Sequence, residues 1–115
     1  MKKIIILLVL LLVAGCSAHV TNVNYETAKK IIDEENAIII DVRTQEEFDS
    51  GHIDGALLIP VDVIDEKIEE NVADKKTSII VYCRSGNRSK TAADILINHG
   101  YENVYDLGSI NNWKE

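Results

Sequence analysis

A chain of 115 residues with 46% hydrophobic content is one domain, long enough for a single core and too short for two, and it needs no disulfide or metal staple to fold. Its formal charge of −7 at pH 7 becomes −9 once Lys2 and Lys3 are removed with the leader described below. A nucleic-acid role is disfavoured, because no basic stripe is present to neutralise phosphates.

The first stretch reads as an address rather than as part of the fold. Lys2 and Lys3 precede an uninterrupted apolar run from Ile4 to Ala14, shorter than the ~20 residues of a membrane-spanning helix and laid out like a secretory signal. The run ends in Val13-Ala14-Gly15-Cys16, which resembles a bacterial lipobox with valine where leucine is usual. On that resemblance residues 1–15 are a signal peptide, residues 16–23 are a lipidated Cys16, a tether and the start of a first strand, and residues 24–115 are the folded domain. The expected location is outside the cytoplasm, lipid-anchored to the outer face of the cytoplasmic membrane or in a periplasm. Stable anchoring takes more than one acyl chain, each buried CH₂ contributing about 0.8 kcal/mol. The competing reading is a plain signal peptide or an uncleaved anchor with an incidental Cys16. Lipidation would use one of the two cysteines and leave Cys83 as a lone thiol in an exported protein.

Residues 20–23 alternate as a brief first strand would, and Asn24 can cap a helix over 25–35 that turns Ala28, Ile31 and Ile32 to one side. The continuous apolar run at 37–42 reads as a strand covered on both faces in a parallel sheet, with Asp41 near its carboxyl end. Thr44 and Glu47 form a capping box at the start of a short helix. His52 is expected to pack and hydrogen-bond so as to fix its loop rather than to act as a general base. Residues 57–60 form a short strand, at an edge because Pro60 has no N–H for a ladder. Asp62 is expected to cap a helix running to about residue 72, with Val63, Ile64 and Ile68 inward and Asp65, Glu66, Glu69 and Glu70 on a solvated face.

The stretch that carries the chemistry is Val81-Tyr82-Cys83-Arg84-Ser85-Gly86-Asn87-Arg88-Ser89. Residues 78–82 are β-branched and aromatic and read as a buried strand, whereas 89–99 read as a helix that Gly100 can end. Cys83 therefore stands where strand hands over to helix. In an open α/β sheet that is the ligand-binding edge, and a helix start offers unpaired N–H groups and the positive end of the helix dipole. Arg84 and Arg88 add fixed positive charge, which would draw small anions locally into an otherwise acidic protein. All three contributions favour a thiolate, the nucleophilic form of cysteine. A buried structural cysteine is the bland alternative. Residues 103–107 form a last strand, and 108–113 a turn that can fold back and bury the only tryptophan. The alternation of strands and helices implies an α/β sandwich of parallel strands, with no internal repeat after Ala18.

Taken in order, Asp41-Val42-Arg43, Glu46-Glu47-Phe48, Gly51-His52-Ile53 with Gly55-Ala56, Ile59-Pro60, the stretch from Val81 to Ser89 and the segment 104–113 resemble a single-domain rhodanese over essentially the whole mature chain. The resemblance implies a three-layer sandwich with a five-stranded parallel sheet flanked by helices. It also implies sulfur transfer through a persulfide on Cys83. The donor would be a small anion such as thiosulfate, the acceptor a thiol or cyanide, and the backbone from Arg84 through Ser85, Gly86, Asn87 and Arg88 to Ser89 would cradle the donor and the loaded sulfur. Asp41 and Arg43 are expected to brace neighbouring loops by ion pairing. One departure is Ser109, where the family often has a second glycine before its tryptophan, and it is expected to tighten or shift the last turn without touching the active loop.

Two other classes are open. A lipid-anchored sulfur carrier or redox-sensing module would use the same loop with little turnover. Cysteine phosphatases share the thiolate, the backbone cradle and the arginine, but they space cysteine and arginine by five residues, whereas four separate Cys83 from Arg88 here. The tighter loop suits one sulfur atom better than a phosphoryl group. His19, His52 and His99 are scattered, so no metal is expected, nor is any cofactor, and the domain is expected to be a monomer.

Overall fold

The computed structural model describes residues 18–115; the expected leader and Cys16 lie outside them. The strands are β1 (Thr21–Asn22), β2 (Ile38–Asp41), β3 (Leu57–Leu58), β4 (Ser78–Cys83) and β5 (Asn103–Ser109), and the helices are α1 (Tyr25–Glu35), α2 (Gln45–Asp49), α3 (Ile64–Asn71) and α4 (Asn87–Asn98). All strand pairs are parallel, in the order β1-β5-β4-β2-β3. β1 and β3 are the edge strands, and the place of β3 agrees with Pro60 just beyond it.

The central strand explains the layering. Every residue of β4 is buried, and because side chains alternate across a strand, its apolar run feeds two separate cores. Ile79, Val81 and Cys83 pack with Ile40, Val42, Ile64, Ile68, Ala92, Ala93 and Leu96 under α3 and α4. Ile80 and Tyr82 point the other way, onto Ala28 and Ile31 of α1 and onto Ile39, Ile53 and Leu107. α4 returns the chain from β4 to β5 on one side, while β2 leads through α2 to β3 on the other. Ligands bind at such a divergence, beyond the strands' carboxyl ends. Cys83 is at that point.

The caps decide where helices begin. The Asn24 side chain accepts from the Thr27 amide, and Thr44 with Glu47 closes the expected capping box. Asp62 does not cap α3. The Val63 amide donates to the Pro60 carbonyl at 3.0 Å, so Asp62 lies inside a turn and Val63 occupies the cap position without a side-chain bond. α4 begins at Asn87 rather than Ser89. Gly86, with φ of 105°, turns the chain straight into the helix, and its carbonyl accepts from the Lys90 amide at 3.2 Å. The segment after Cys83 is therefore a three-residue bend followed at once by the helix.

The acidic face of α3 is not wholly given to solvent. The His99 ring, at the end of α4, bonds Asp65 through Nε2 at 2.7 Å and Glu69 through Nδ1 at 2.8 Å, and Lys75 Nζ reaches the same Glu69 carboxylate at 2.8 Å. Those carboxylates, Glu69 first, raise the His99 pKa. The cluster ties α3 to α4 far from Cys83 in the chain.

Candidate active site

β4 delivers Cys83 to the carboxyl edge of the sheet, opposite Ser109 on β5. Two backbone amides are aimed at its Sγ, that of Gly86 at 3.0 Å and that of Ser89 at 3.3 Å. Both exist because the first amides of an α-helix have no partner within it. Ser89 is fully buried, and its hydroxyl donates to the Gly86 carbonyl at 3.2 Å, which holds the bend against the first helical turn. Burial pushes the Cys83 thiol up, but the backbone amides, that of Ser89 foremost and then that of Gly86, outweigh it and leave the thiol below its ordinary value. Cys83 itself is 0% exposed, although Arg84 and Ser85 beside it are exposed and Gly86 is half-buried. Asn87 is exposed at the first helical position.

Arg84 and Arg88 differ in kind. The Arg84 side chain is exposed. Arg88, expected to face a donor, is instead clamped by Glu47, Nη1 to Oε1 at 2.7 Å and Nη2 to Oε2 at 3.0 Å. This fork geometry fixes the guanidinium plane. The Arg88 guanidinium first, then the Thr44 amide, holds the Glu47 carboxyl down at about 2. Glu47 therefore serves two ends at once, capping α2 and pinning α4 beside the sulfur. The capping motif could reveal only the first, because Arg88 lies far along the chain.

Asp41 and Arg43 are brought together, buried below the loop. The Asp41 side chain, 0% exposed, accepts from the Arg43 amide at 2.9 Å, from its Nε at 2.9 Å, from its Nη2 at 2.7 Å and from the Tyr82 hydroxyl at 2.7 Å. The outer ends of this network hold the 51–53 segment: Arg43 Nη2 donates to the Gly51 carbonyl at 2.7 Å, and the Ile53 amide donates to the Tyr82 oxygen at 3.1 Å. Burial and the Asp41 carboxylate raise the Tyr82 phenol well above its usual value, so it remains a donor. Tyr82 escaped the sequence reading, although a tyrosine inside a wholly buried strand must find a partner for its hydroxyl. His52 stacks on Phe48, with centroids 3.7 Å apart, and its Nδ1 lies 2.9 Å from the Phe48 carbonyl, so the ring fixes its loop as expected.

Ser109 requires a correction. Its hydroxyl donates to the Arg84 carbonyl at 2.7 Å, so the last turn does touch the active loop. The reason is a bulge: β4 and β5 change register between Val81 and Tyr82, which sets Tyr82 opposite Gly108 and Cys83 opposite Ser109. Gly108, with φ of 82°, makes the bulge, and its amide is held by the Asp106 carboxylate at 2.8 Å.

Two hollows flank the loop. One, of about 330 Å³, lies between Gly86, Lys90, Asp94 and Asp106 and the segment from Val20 to Asn22. The other, of about 240 Å³, runs from Arg88 over Val42, Pro60 and Val61.

A cysteine beneath helix-start amides, at the divergence point of a five-stranded parallel sheet, is the arrangement expected from the motifs. The family model described as the Rhodanese-like domain matches residues 24–115. The chain belongs to the rhodanese family. Among curated rhodanese relatives, the thiosulfate sulfurtransferase PspE of Escherichia coli is 38% identical over 71 residues, covering 62% of this chain and 68% of that one. A tRNA uridine(34) hydroxylase of Erwinia tasmaniensis is 35% identical over 81 residues, but this rhodanese chain spans only 23% of its length. Among solved structures, a rhodanese with anions from E. coli superimposes with a TM-score of 0.64 at 36% identity, over 66% of this chain and 89% of that one. The human single-domain sulfurtransferase TSTD1, 20% identical, shares the fold with a TM-score of 0.68 over 86% of this chain and 96% of that one.

Proposed function

We propose that this rhodanese domain moves sulfane sulfur from thiosulfate, or a similar anionic donor, to a thiophilic acceptor by way of a Cys83 persulfide. The Cys83 thiolate attacks the outer sulfur of thiosulfate. A new S–S bond forms, the donor's S–S bond breaks, and sulfite leaves with the electron pair. The terminal sulfur of the persulfide then passes to cyanide or a thiolate, and the Cys83 thiolate is regenerated. No proton need move when both partners are ionised. The observation that carries the reading is the pair of amides at 3.0 and 3.3 Å from Sγ, since fixed N–H dipoles stabilise an anion without reorganising. A persulfide is also an anion, so the same helix start serves both resting and loaded forms. Because Glu47 neutralises Arg88, recognition of the donor falls to the backbone cradle and to the exposed Arg84. The phosphatase alternative is weakened by the same pair, which neutralises Arg88 and commits two of its donors to Glu47.

The test is incubation of the domain with thiosulfate, followed by intact-mass analysis and by cyanide. The expected result is a gain of one sulfur atom on Cys83 and its release as thiocyanate with multiple turnovers. Loading with very slow release favours a sulfur carrier, and no loading refutes the reading.

The setting belongs to the same proposal. Processing at Cys16 would leave a short tether of residues 17–20 before β1 and place the domain outside the cytoplasm. Cells fed a labelled fatty acid are expected to label the full chain and not its Cys16→Ala variant; equal labelling, or none in either, refutes the anchor.

A further inference from the structure

The geometry points to Ser109 as a positioning residue for Cys83, one that braces the 84–86 bend whose Gly86 amide bonds the sulfur. The role rests on the sulfur-transfer reading for its purpose, but not for its test.

The argument begins with the hydroxyl. A serine hydroxyl has a single proton to give. The Ser109 oxygen accepts from the Asn111 amide at 3.0 Å, and it gives its proton to the Arg84 carbonyl at 2.7 Å. The direction of the bond is thereby fixed. In a trans peptide the carbonyl and the following N–H point in opposite directions within one plane. Holding the Arg84 carbonyl therefore fixes the plane of the peptide joining Arg84 to Ser85, the first peptide of the bend. Cys83 and Ser109 stand directly opposite each other across β4 and β5, so the bond spans from the end of one strand to the first residue of the loop that follows the other. Two residues further along the same bend, the Gly86 amide lies 3.0 Å from the Cys83 sulfur, so the hold at Arg84 helps set where that amide points.

The brace is itself anchored. Ser109 caps a 3₁₀ turn, Ile110–Asn112, and Trp113 after it packs edge-on against Tyr25 of α1, with ring centroids 4.8 Å apart. The Asn112 side chain donates to the Leu107 carbonyl at 2.8 Å. The bend at 84–86 is thus tied through one hydroxyl to the helix layer on the opposite side of the sheet. No backbone demand explains a small residue here: Ser109 is extended, with φ of −80° and ψ of 141°, which any residue adopts. A glycine or alanine would fit and would leave the Arg84 carbonyl without this donor.

The experiment compares Ser109→Ala, Ser109→Gly and Ser109→Thr with the wild-type domain. The rate of Cys83 alkylation by iodoacetamide is read across pH, and the thiosulfate-to-cyanide reaction is read as kcat and KM separately. The alanine and glycine variants are expected to alkylate about threefold or more slowly at pH 7, with the pH profile displaced upward, since half a pKa unit is about a threefold change in thiolate. Threonine, which keeps the hydroxyl, is expected to restore the profile. kcat should fall with the thiolate while KM for thiosulfate stays close to wild type. An unchanged alkylation profile in Ser109→Ala, or a threonine variant that behaves like alanine, overturns the assignment. If the wild type fails to transfer sulfur, the proposed function fails while the alkylation profiles still decide the role of Ser109.

Discussion

Asp41→Ala is expected to be among the most destabilising single substitutions in the domain, costing about 3–5 kcal/mol, the usual consequence of leaving a buried charge without its partner. Arg43 is 6% exposed, and its guanidinium would keep only the Gly51 carbonyl as a strong acceptor once the carboxylate is gone. The Tyr82 hydroxyl would lose its acceptor in the same step, inside a strand with no route to water. Against a typical domain stability of about 5–15 kcal/mol, the loss consumes a large share. Urea unfolding followed by circular dichroism checks it, as a lower midpoint at unchanged slope. Asp41→Asn, which keeps the volume and one acceptor, should cost less. Removing both charges, as in Asp41→Ala with Arg43→Met, should recover part of the loss, because the penalty is that of an orphaned charge rather than of an absent ion pair. A single-variant cost below about 1 kcal/mol, the range of exposed pairs, would show that water reaches the network and that it does not brace the loop.

That network also shows where sequence reading succeeds and where it stops. The strands, the sheet class and the placing of Cys83 at a strand-to-helix junction are legible because they rest on local periodicity: a run such as Ile79 to Tyr82 has only one way to be buried on both faces. Asp41 and Arg43 lie two residues apart, so their pairing is local and readable. Tyr82 joins them across 41 residues, and Glu47 reaches Arg88 across the same separation. Nothing in a one-dimensional pattern measures such distances. Ser109 is the sharper case. Its contact depends on the register of β5 against β4, and a single bulge at Gly108 changes which residue faces Cys83. α4 starts ahead of its pattern for a related reason: the apolar positions that announce the helix, Ala92, Ala93 and Leu96, come late, whereas its first turn is set by the backbone of Gly86. The cap residue Gly86 and the early, polar Ser89 are the ones whose amides face the sulfur. In this domain the part of the helix least visible to hydrophobic patterning performs the site's electrostatic work.

Cys83→Ser is expected to abolish sulfur transfer, with a loss of about a thousandfold or more, the scale on which enzymes lose a catalytic nucleophile. Among the described residues Cys83 is the one free cysteine, so none of them offers a second thiol. A serine at this position would meet the same amides, but its hydroxyl ionises so far above neutral pH that the cradle cannot turn it into an oxyanion. The companion measurement is the pH dependence of alkylation in the wild-type domain, where two opposed effects are weighed directly. Burial favours the neutral thiol, and the amides of Ser89, Gly86 and Ser85 favour the thiolate. If the amides prevail, the alkylation rate reaches half its plateau at a lower pH than for an ordinary cysteine. Reactivity at neutral pH then survives even though the residue is 0% exposed. A midpoint at or above the ordinary value, or no reaction with a reagent as small as iodoacetamide, would mean that burial prevails and that Cys83 is part of the core under α4. Because the two amide contacts arise from the unpaired first turn of that helix, the same result would also remove the physical basis for holding a persulfide there.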